Sequence, residues 1–298
     1  MRLKNKLLLL VVAALATPAA AQLENVLHQE RSLYRNIYVT QDGDERCMLF
    51  RVKHGVGRES CQYVSRPAVH VFPYTQMMMA GLFLNPAPKR ILVIGLGGGT
   101  MSATLSRILP EAQIDNVELD ESVANIARDY FGFKTSARVK VFVQDGRVFI
   151  KRAARSPQKY DMVLLDAFDG DYIPEHMLTQ EFLREVRATM TPNGVLVANT
   201  FPKGKLYPHE STTYRSVFGP FYNMMNGNRV IVAKLGTPVP GAELRRNAAA
   251  LNPALTRIGT SSGELLGMMS SKIDWDPSAR VLTDQYSPSN LLNADDEG

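Results

Sequence analysis

Residues 90–100 read Arg-Ile-Leu-Val-Ile-Gly-Leu-Gly-Gly-Gly-Thr. Four consecutive apolar residues, Ile91-Leu92-Val93-Ile94, suit a strand covered on both faces. The glycines that follow suit a loop that turns sharply and lets the backbone come close to a ligand. From Thr100 the pattern becomes helical, to about Leu109. A buried strand, a glycine loop carrying Gly95, Gly97 and Gly99, and then a helix is the arrangement of nucleoside-binding α/β domains. On its own the loop fits a dinucleotide, a methyl donor or no ligand at all.

The chain downstream repeats the alternation. Residues 114–119 read as a second strand and 121–130 as a helix; residues 139–143 form a third strand. Residues 162–165 form a fourth, ending on Asp166, and residues 179–190 read as a helix. Pro192-Asn193-Gly194 turns into a strand over 195–198, and a late strand over 228–233 follows the Asn226-Gly227 turn. This alternation predicts an α/β fold, a Rossmann-like, mostly parallel and doubly wound sheet, which resembles the class I methyltransferase fold.

Ligands of open α/β sheets bind beyond the carboxyl ends of the strands. The acids at those ends are therefore the candidate contacts. Glu118 ends the second strand about twenty residues after the loop, where an acid accepts hydrogen bonds from both ribose hydroxyls. Asp120 follows it. Asp145-Gly146 ends the third strand, where methyl-donor enzymes place an acid against the adenine amino group. Glu118 and Asp145 also fit a plainer role as caps of the helices after them. The fourth strand runs into Asp166-Ala167-Phe168-Asp169-Gly170-Asp171. Three carboxylates in so short a run repel one another unless a cation neutralises them, and a substrate amine or a metal ion would do so. The alternative is a solvated acidic turn.

Upstream, residues 33–73 look like short strands of a small antiparallel sheet, with a turn at residues 41–44. Residues 75–84 read as one helix, in which Met77, Met78 and Met79 suit core filling. Pro86 and Pro88 end it. The two cysteines, Cys47 and Cys61, flank a candidate hairpin turn at residues 54–57. They either pair across it or remain two half-buried thiols.

At the start, Arg2, Lys4 and Lys6 precede an apolar run over residues 7–16, then Pro18 and Ala19-Ala20-Ala21. That is the pattern of a secretory signal cleaved before Gln22, or else of an uncleaved membrane anchor in a chain that stays at the membrane or in the cytoplasm. No other stretch is long and apolar enough to span a bilayer. The 298-residue chain is thus expected to comprise a signal peptide (1–21), an N-terminal β region (22–85) and a Rossmann-like nucleoside-binding domain (86–298). The formal charge of +5 falls to about +2 without the signal's three bases, and no basic stripe alternates with aromatics, so nucleic acid is not an expected partner.

The order of elements over about residues 33–235 resembles the polyamine aminopropyltransferases, the spermidine synthases. The similarity lies in residues 91–100, Val117-Glu118-Leu119-Asp120, Gln144-Asp145-Gly146-Arg147, residues 160–169 and Leu178-Thr179-Gln180-Glu181-Phe182. The family's D-x-x-D pair falls on Asp166 and Asp169. The resemblance implies that Asp166 helps to deprotonate the attacking amine. Asp169 would hold the amine, with Tyr74 and Asp171 as further substrate contacts. Gly95, Gly97, Gly99, Glu118, Asp120, Asp145 and Gly146 would hold S-adenosylmethionine or its decarboxylated form as co-substrate. The acceptor would be a polyamine or another amine, and the family's habit of assembly implies a homodimer.

The chain departs from the family where Gly98 replaces an aspartate, at Tyr34-Arg35, at Tyr74-Thr75-Gln76 and at Gly170. An inward-pointing Arg35 would favour a carboxylate on the donor tail, and so intact S-adenosylmethionine. Methyl transfer is accordingly the nearest rival reaction. An exported polyamine- or nucleoside-binding protein without turnover is another, because S-adenosylmethionine is made and used in the cytoplasm. Gly259-Thr260-Ser261-Ser262-Gly263 matches a hydrolase elbow, but no strand precedes it and no histidine follows His209. The five histidines show no paired ligand spacing, so no catalytic metal is expected.

Overall fold

The computed structural model describes residues 25–53, 56–167 and 174–294. The N-terminal apolar run and Asp169 and Asp171 lie outside the described residues, as do His54 and Gly55 of the candidate turn. Two sheets organise the fold. The first is an antiparallel meander of β1 (Val26–Arg31), β2 (Asn36–Asp42), β3 (Glu45–Lys53) and β4 (Val56–Tyr63), in that order. Cys47 and Cys61 face each other in the β3–β4 register and form a disulfide.

Two short helices follow, α1 (Pro73–Met78) and α2 (Gly81–Leu84). The single helix expected over 75–84 is interrupted at Met79 and Ala80, where the backbone bonds tighten to three-residue spacing, and Gly81 then packs closely on the large sheet. A Cβ on Gly81 would come within 2.5 Å of Val197 Cγ2. Met77, Met78 and Met79 are buried in the core of that large sheet, so residues 73–84 pack with the nucleoside-binding domain rather than with the meander.

The large sheet is built from β5 (Arg90–Ile94), α3 (Thr100–Ile108), β6 (Gln113–Glu118), α4 (Glu121–Phe131), β7 (Val139–Val143), α5 (Gly146–Ala154), β8 (Tyr160–Leu165), α6 (Gln180–Ala188), β9 (Met190–Thr200), α7 (Leu206–Phe218), β10 (Phe221–Asn226) and β11 (Asn228–Lys234). Helices α8 (Gly241–Arg257), α9 (Ser262–Met268) and α10 (Ser289–Ala294) complete the chain. The strand order is β10-β11-β9-β8-β5-β6-β7. All pairings from β9 to β7 are parallel, and the β10–β11 hairpin adds antiparallel to β9.

Alternate residues of β5 serve opposite faces. Ile91 and Val93 join Met77, Leu82 and Phe83 on one side, whereas Leu92 and Ile94 join Ile150, Phe182 and Val186 on the other. At about 25 cal/mol per Å² of apolar area, such double-sided burial is the main stabilisation of the strand. The expected helix over 179–190 is shorter than its pattern suggests. Thr179 caps α6 through a bond from Phe182 N, and Met190 is drawn out into β9 by pairing with Tyr160. Pro192-Asn193-Gly194 lies within β9, at a break in its register with β8.

Two junctions place the site. The meander docks on α4, with Ile37, Val39 and Met48 packed against Val123, Ile126 and Phe131. The chain's last described stretch returns to the mouth of the large sheet. There Asp284 accepts two hydrogen bonds of 2.7 Å from the Arg147 guanidinium and one from Thr179 Oγ1, and Asn290 N bonds Glu175. No helix of the described residues is long and apolar enough to cross a membrane.

Candidate active site

The β5 strand is flanked by β6 on one side and β8 on the other, and the connections leave in opposite directions. This is the topological switch point where open α/β sheets form a crevice. Backbone bonds tie the three strand ends together. Gly95 N donates to Val117 O, and Asp166 N donates to Ile94 O. Gly95 has a φ of +90°, and a Cβ there would lie 2.0 Å from the Asp166 carbonyl oxygen. Only glycine lets the loop pass this close to the fourth strand's end.

A cavity of about 330 Å³ opens at this crevice. Gly95, Gly97, Glu118, Asp120, Asp145, Gly146, Asp166 and Tyr74 all line it. Eight residues drawn from five separate stretches of sequence therefore meet in one place. Gly99 does not line the cavity. It precedes the first turn of α3 with φ +79°, and a Cβ there would strike the Phe133 ring at 2.6 Å. Its part is in packing rather than in ligand contact.

The acids hold distinct positions. Glu118 accepts from Leu96 N at 3.0 Å with one oxygen and from Asp120 N at 3.1 Å with the other. Burial pushes its pKa up, and these backbone bonds oppose the rise. Each carboxylate oxygen has a second lone pair, so both remain able to accept from a ribose diol. Asp120 caps α4 by accepting from Ser122 N and also accepts from Ser32 Oγ. Asp145 caps α5 by accepting from Val148 N at 2.8 Å, and its other oxygen lies 3.6 Å from His176 Nε2. Capping and lining the cavity are thus combined in the same residue.

Asp166 is half-buried at the end of β8. Its Oδ1 accepts from Asn199 Nδ2 at 2.9 Å and its Oδ2 from Tyr74 Oη at 3.3 Å. Burial raises its pKa to about 6, with Glu118 adding to the rise and the two hydrogen bonds limiting it. Tyr74 is held well above its ordinary value by burial and by the Asp166 carboxylate, so it stays a hydrogen-bond donor. A buried carboxyl group poised near 6 is charged at neutral pH yet basic enough to accept a proton.

Several lining residues come from parts of the chain that carry no motif. Ser60 and Glu59 of β4 line it, as do Arg35 and Phe50, with the guanidinium 4.2 Å from the ring centroid, and His176 stands near Asp145. Asn199 was open to the strand-end argument, since it is the polar residue that ends the apolar run 195–198. Nothing in the sequence places Ser60 beside the glycine loop. The cavity's carboxyl groups, Glu59, Glu118, Asp120, Asp145 and Asp166, outnumber Arg35 and His176. A ligand that brings positive charge is favoured there.

This architecture defines a nucleoside-binding transferase domain of the class I methyltransferase type, with a mostly acidic cavity lining. The comparisons narrow the class. Residues 71–218 match the Spermine/spermidine synthase domain. The chain is 45% identical over 292 residues to a polyamine aminopropyltransferase of Vibrio vulnificus, covering 96% of this chain and 97% of that protein. Among solved structures, a probable spermidine synthase from Corynebacterium glutamicum superposes with a TM-score of 0.63 at 19% identity, covering 84% of this chain and 96% of that one. Human methyltransferase-like protein 13 in complex with SAH gives a TM-score of 0.57 at 27% identity, covering 74% and 100%. The chain belongs to the polyamine aminopropyltransferase family.

Proposed function

We propose that this protein transfers an aminopropyl group from decarboxylated S-adenosylmethionine to a polyamine or similar amine. The observation that carries the reading is Asp166, half-buried at the end of β8 between Tyr74 and Asn199 and opening onto the same cavity as Glu118 and Asp145. An ammonium has no lone pair, so the acceptor must lose a proton before it attacks. Asp166 takes that proton. The freed nitrogen attacks the propyl carbon next to the sulfonium, a C–N bond forms, and the C–S bond breaks with its electron pair left on sulfur as methylthioadenosine. Glu118 holds the ribose and Asp145 the adenine edge, so the sulfonium is set near Asp166 before the acceptor arrives. Asp169, from the matched D-x-x-D pattern, and Asp171 supply carboxylates for the acceptor's ammonium groups.

The decarboxylated donor is favoured over the intact one by the excess of carboxyl groups around the cavity, although Arg35 also lines it. Export by the segment 1–21 is supported by the disulfide between Cys47 and Cys61, because such bonds persist in oxidising compartments. Incubation of the protein with either donor form and a panel of diamines, read by mass spectrometry, tests the reaction. Methylthioadenosine with an extended amine, lost in Asp166→Asn, is expected. S-adenosylhomocysteine as the product would replace the reading with methyl transfer.

A further inference from the structure

Asp166 owes one of its two side-chain hydrogen bonds to Asn199, and an asparagine amide can present either end. Its nitrogen donates to a carboxylate, whereas its oxygen repels one. Something must therefore decide which end faces Asp166. In the structure Asn228 Nδ2 donates to Asn199 Oδ1 at 3.1 Å, while Asn199 Nδ2 donates to Asp166 Oδ1 at 2.9 Å. Asn228 is the first residue of β11, set by the turn at Gly227 with φ +75° and by the pairing of Arg229 with Thr200 on β9. The three side chains form one directed chain, Asn228 to Asn199 to Asp166, across the ends of β11, β9 and β8.

We propose that Asn228 is a positioning residue: by occupying the oxygen of Asn199 it turns the Asn199 nitrogen onto Asp166 and so keeps that carboxyl group ionised. This rests on the reading of Asp166 as the proton acceptor in aminopropyl transfer. The other groups that face Asp166 do not replace this bond. Tyr74 from α1 donates at a longer 3.3 Å, and Glu118 at the end of β6 opposes ionisation through its own charge. Glu59 on β4 acts on Tyr74 instead, where its charge helps to keep the phenol protonated.

Asn228→Asp is the decisive variant. A carboxylate can only accept, so it draws the Asn199 nitrogen towards itself and leaves the Asn199 oxygen against Asp166. The acid limb of the kcat/KM profile is expected to move up by about one pH unit or more, a loss of about threefold or more at pH 6.5 that is recovered at high pH. Asn228→Ala frees Asn199 without inverting it and moves the limb less. Asn228→Gln keeps a donor and restores the limb.

Carbon-13 carboxyl NMR of Asp166, assigned against Asp166→Asn, follows the same titration without turnover. A raised midpoint in Asn228→Asp supports the inference even if no donor is ever turned over. An unchanged midpoint in a folded variant overturns it, as does a pH-independent fall in kcat. If Asn228→Asp does not fold, Asn228→Ala decides by the same midpoint. Absence of methylthioadenosine from the wild-type protein counts against the proposed reaction and leaves the titration result standing.

Discussion

Ser60 Oγ accepts a 2.9 Å hydrogen bond from the amide of Gly98, joining β4 of the antiparallel meander to the glycine loop of the parallel sheet. The contact is buried, and a Cβ on Gly98 would come within 2.8 Å of the same oxygen. The loop's shape thus depends on a residue from the other sheet. Ser60→Ala leaves the Gly98 N–H without its partner, which costs about 1–3 kcal/mol. A lower melting temperature and a donor affinity weakened about tenfold are expected, measured by calorimetry on the same samples. Full retention of donor affinity would show that the loop holds its shape unaided.

Asp166→Asn should trade activity for stability. The folded pKa of about 6 lies above the ordinary 3.8, so burial favours the neutral form. The sign follows: wild-type stability from this group is fully present below about 3.8 and is lost as pH rises through about 6. Replacing the carboxyl group with an amide removes the loss, which is on the order of 2–3 kcal/mol at pH 8 and less at pH 5. Melting temperatures of the two proteins at the two pH values give the comparison. The variant should be the more stable, more so at pH 8, while product formation disappears.

The wild-type pH profile carries the same group. If Asp166 must be ionised to accept the proton, kcat/KM rises with an acid limb near pH 6. Tyr74→Phe removes one donor from the carboxylate, so the limb should shift upward by about one pH unit, as expected for one such bond, and kcat/KM at pH 7 should fall by about twofold. A limb that stays in place would assign the titration to another group.

Glu118→Gln keeps the shape of the side chain but turns one acceptor into a donor. The bond from either Leu96 N or Asp120 N must then be lost, and one ribose hydroxyl loses its acceptor. Donor KM should rise by about ten- to a hundredfold, as expected for hydrogen bonds to a charged group, with a smaller change in kcat. Equal losses in both constants would place Glu118 closer to the reacting carbon than the cavity suggests.

The disulfide closes a loop with a sequence separation of 14, for which chain entropy gives about 3 kcal/mol. The double variant Cys47→Ser with Cys61→Ser should therefore melt lower, and reduced wild-type protein should melt with it. Denaturant midpoints under oxidising and reducing conditions test this. Coincident midpoints would mean that the hairpin stands without its crosslink.

The parallel sheet was legible because its signals are local. The run 91–94, the loop after it and the acids at strand ends each sit within a few residues, and the strand-end rule carries them to one cavity. Helix limits were less legible where tertiary contacts decide them. Met190 belongs to a helical pattern by composition but pairs with Tyr160 in the sheet, and the pattern over 75–84 is interrupted at Met79 and Ala80, just before Gly81 lies against Val197. Gly99 reads like its neighbours in the loop, yet the Phe133 ring behind it gives it a packing role. Ser60, Glu59 and Asn228 were out of reach of the sequence. Their effect comes from how the meander docks on α4 and how the β10–β11 hairpin adds to β9, neither of which leaves a pattern in the residues themselves.

The crosslink between Cys47 and Cys61 also acts as a registration pin. Side chains alternate across a strand, so a slip of one residue between β3 and β4 would exchange what each face presents. Covalent attachment of directly opposed residues forbids that slip. The polarity of the cavity wall is thereby tied to a single covalent bond between the two strands, the one pairing that the chain's two cysteines allow.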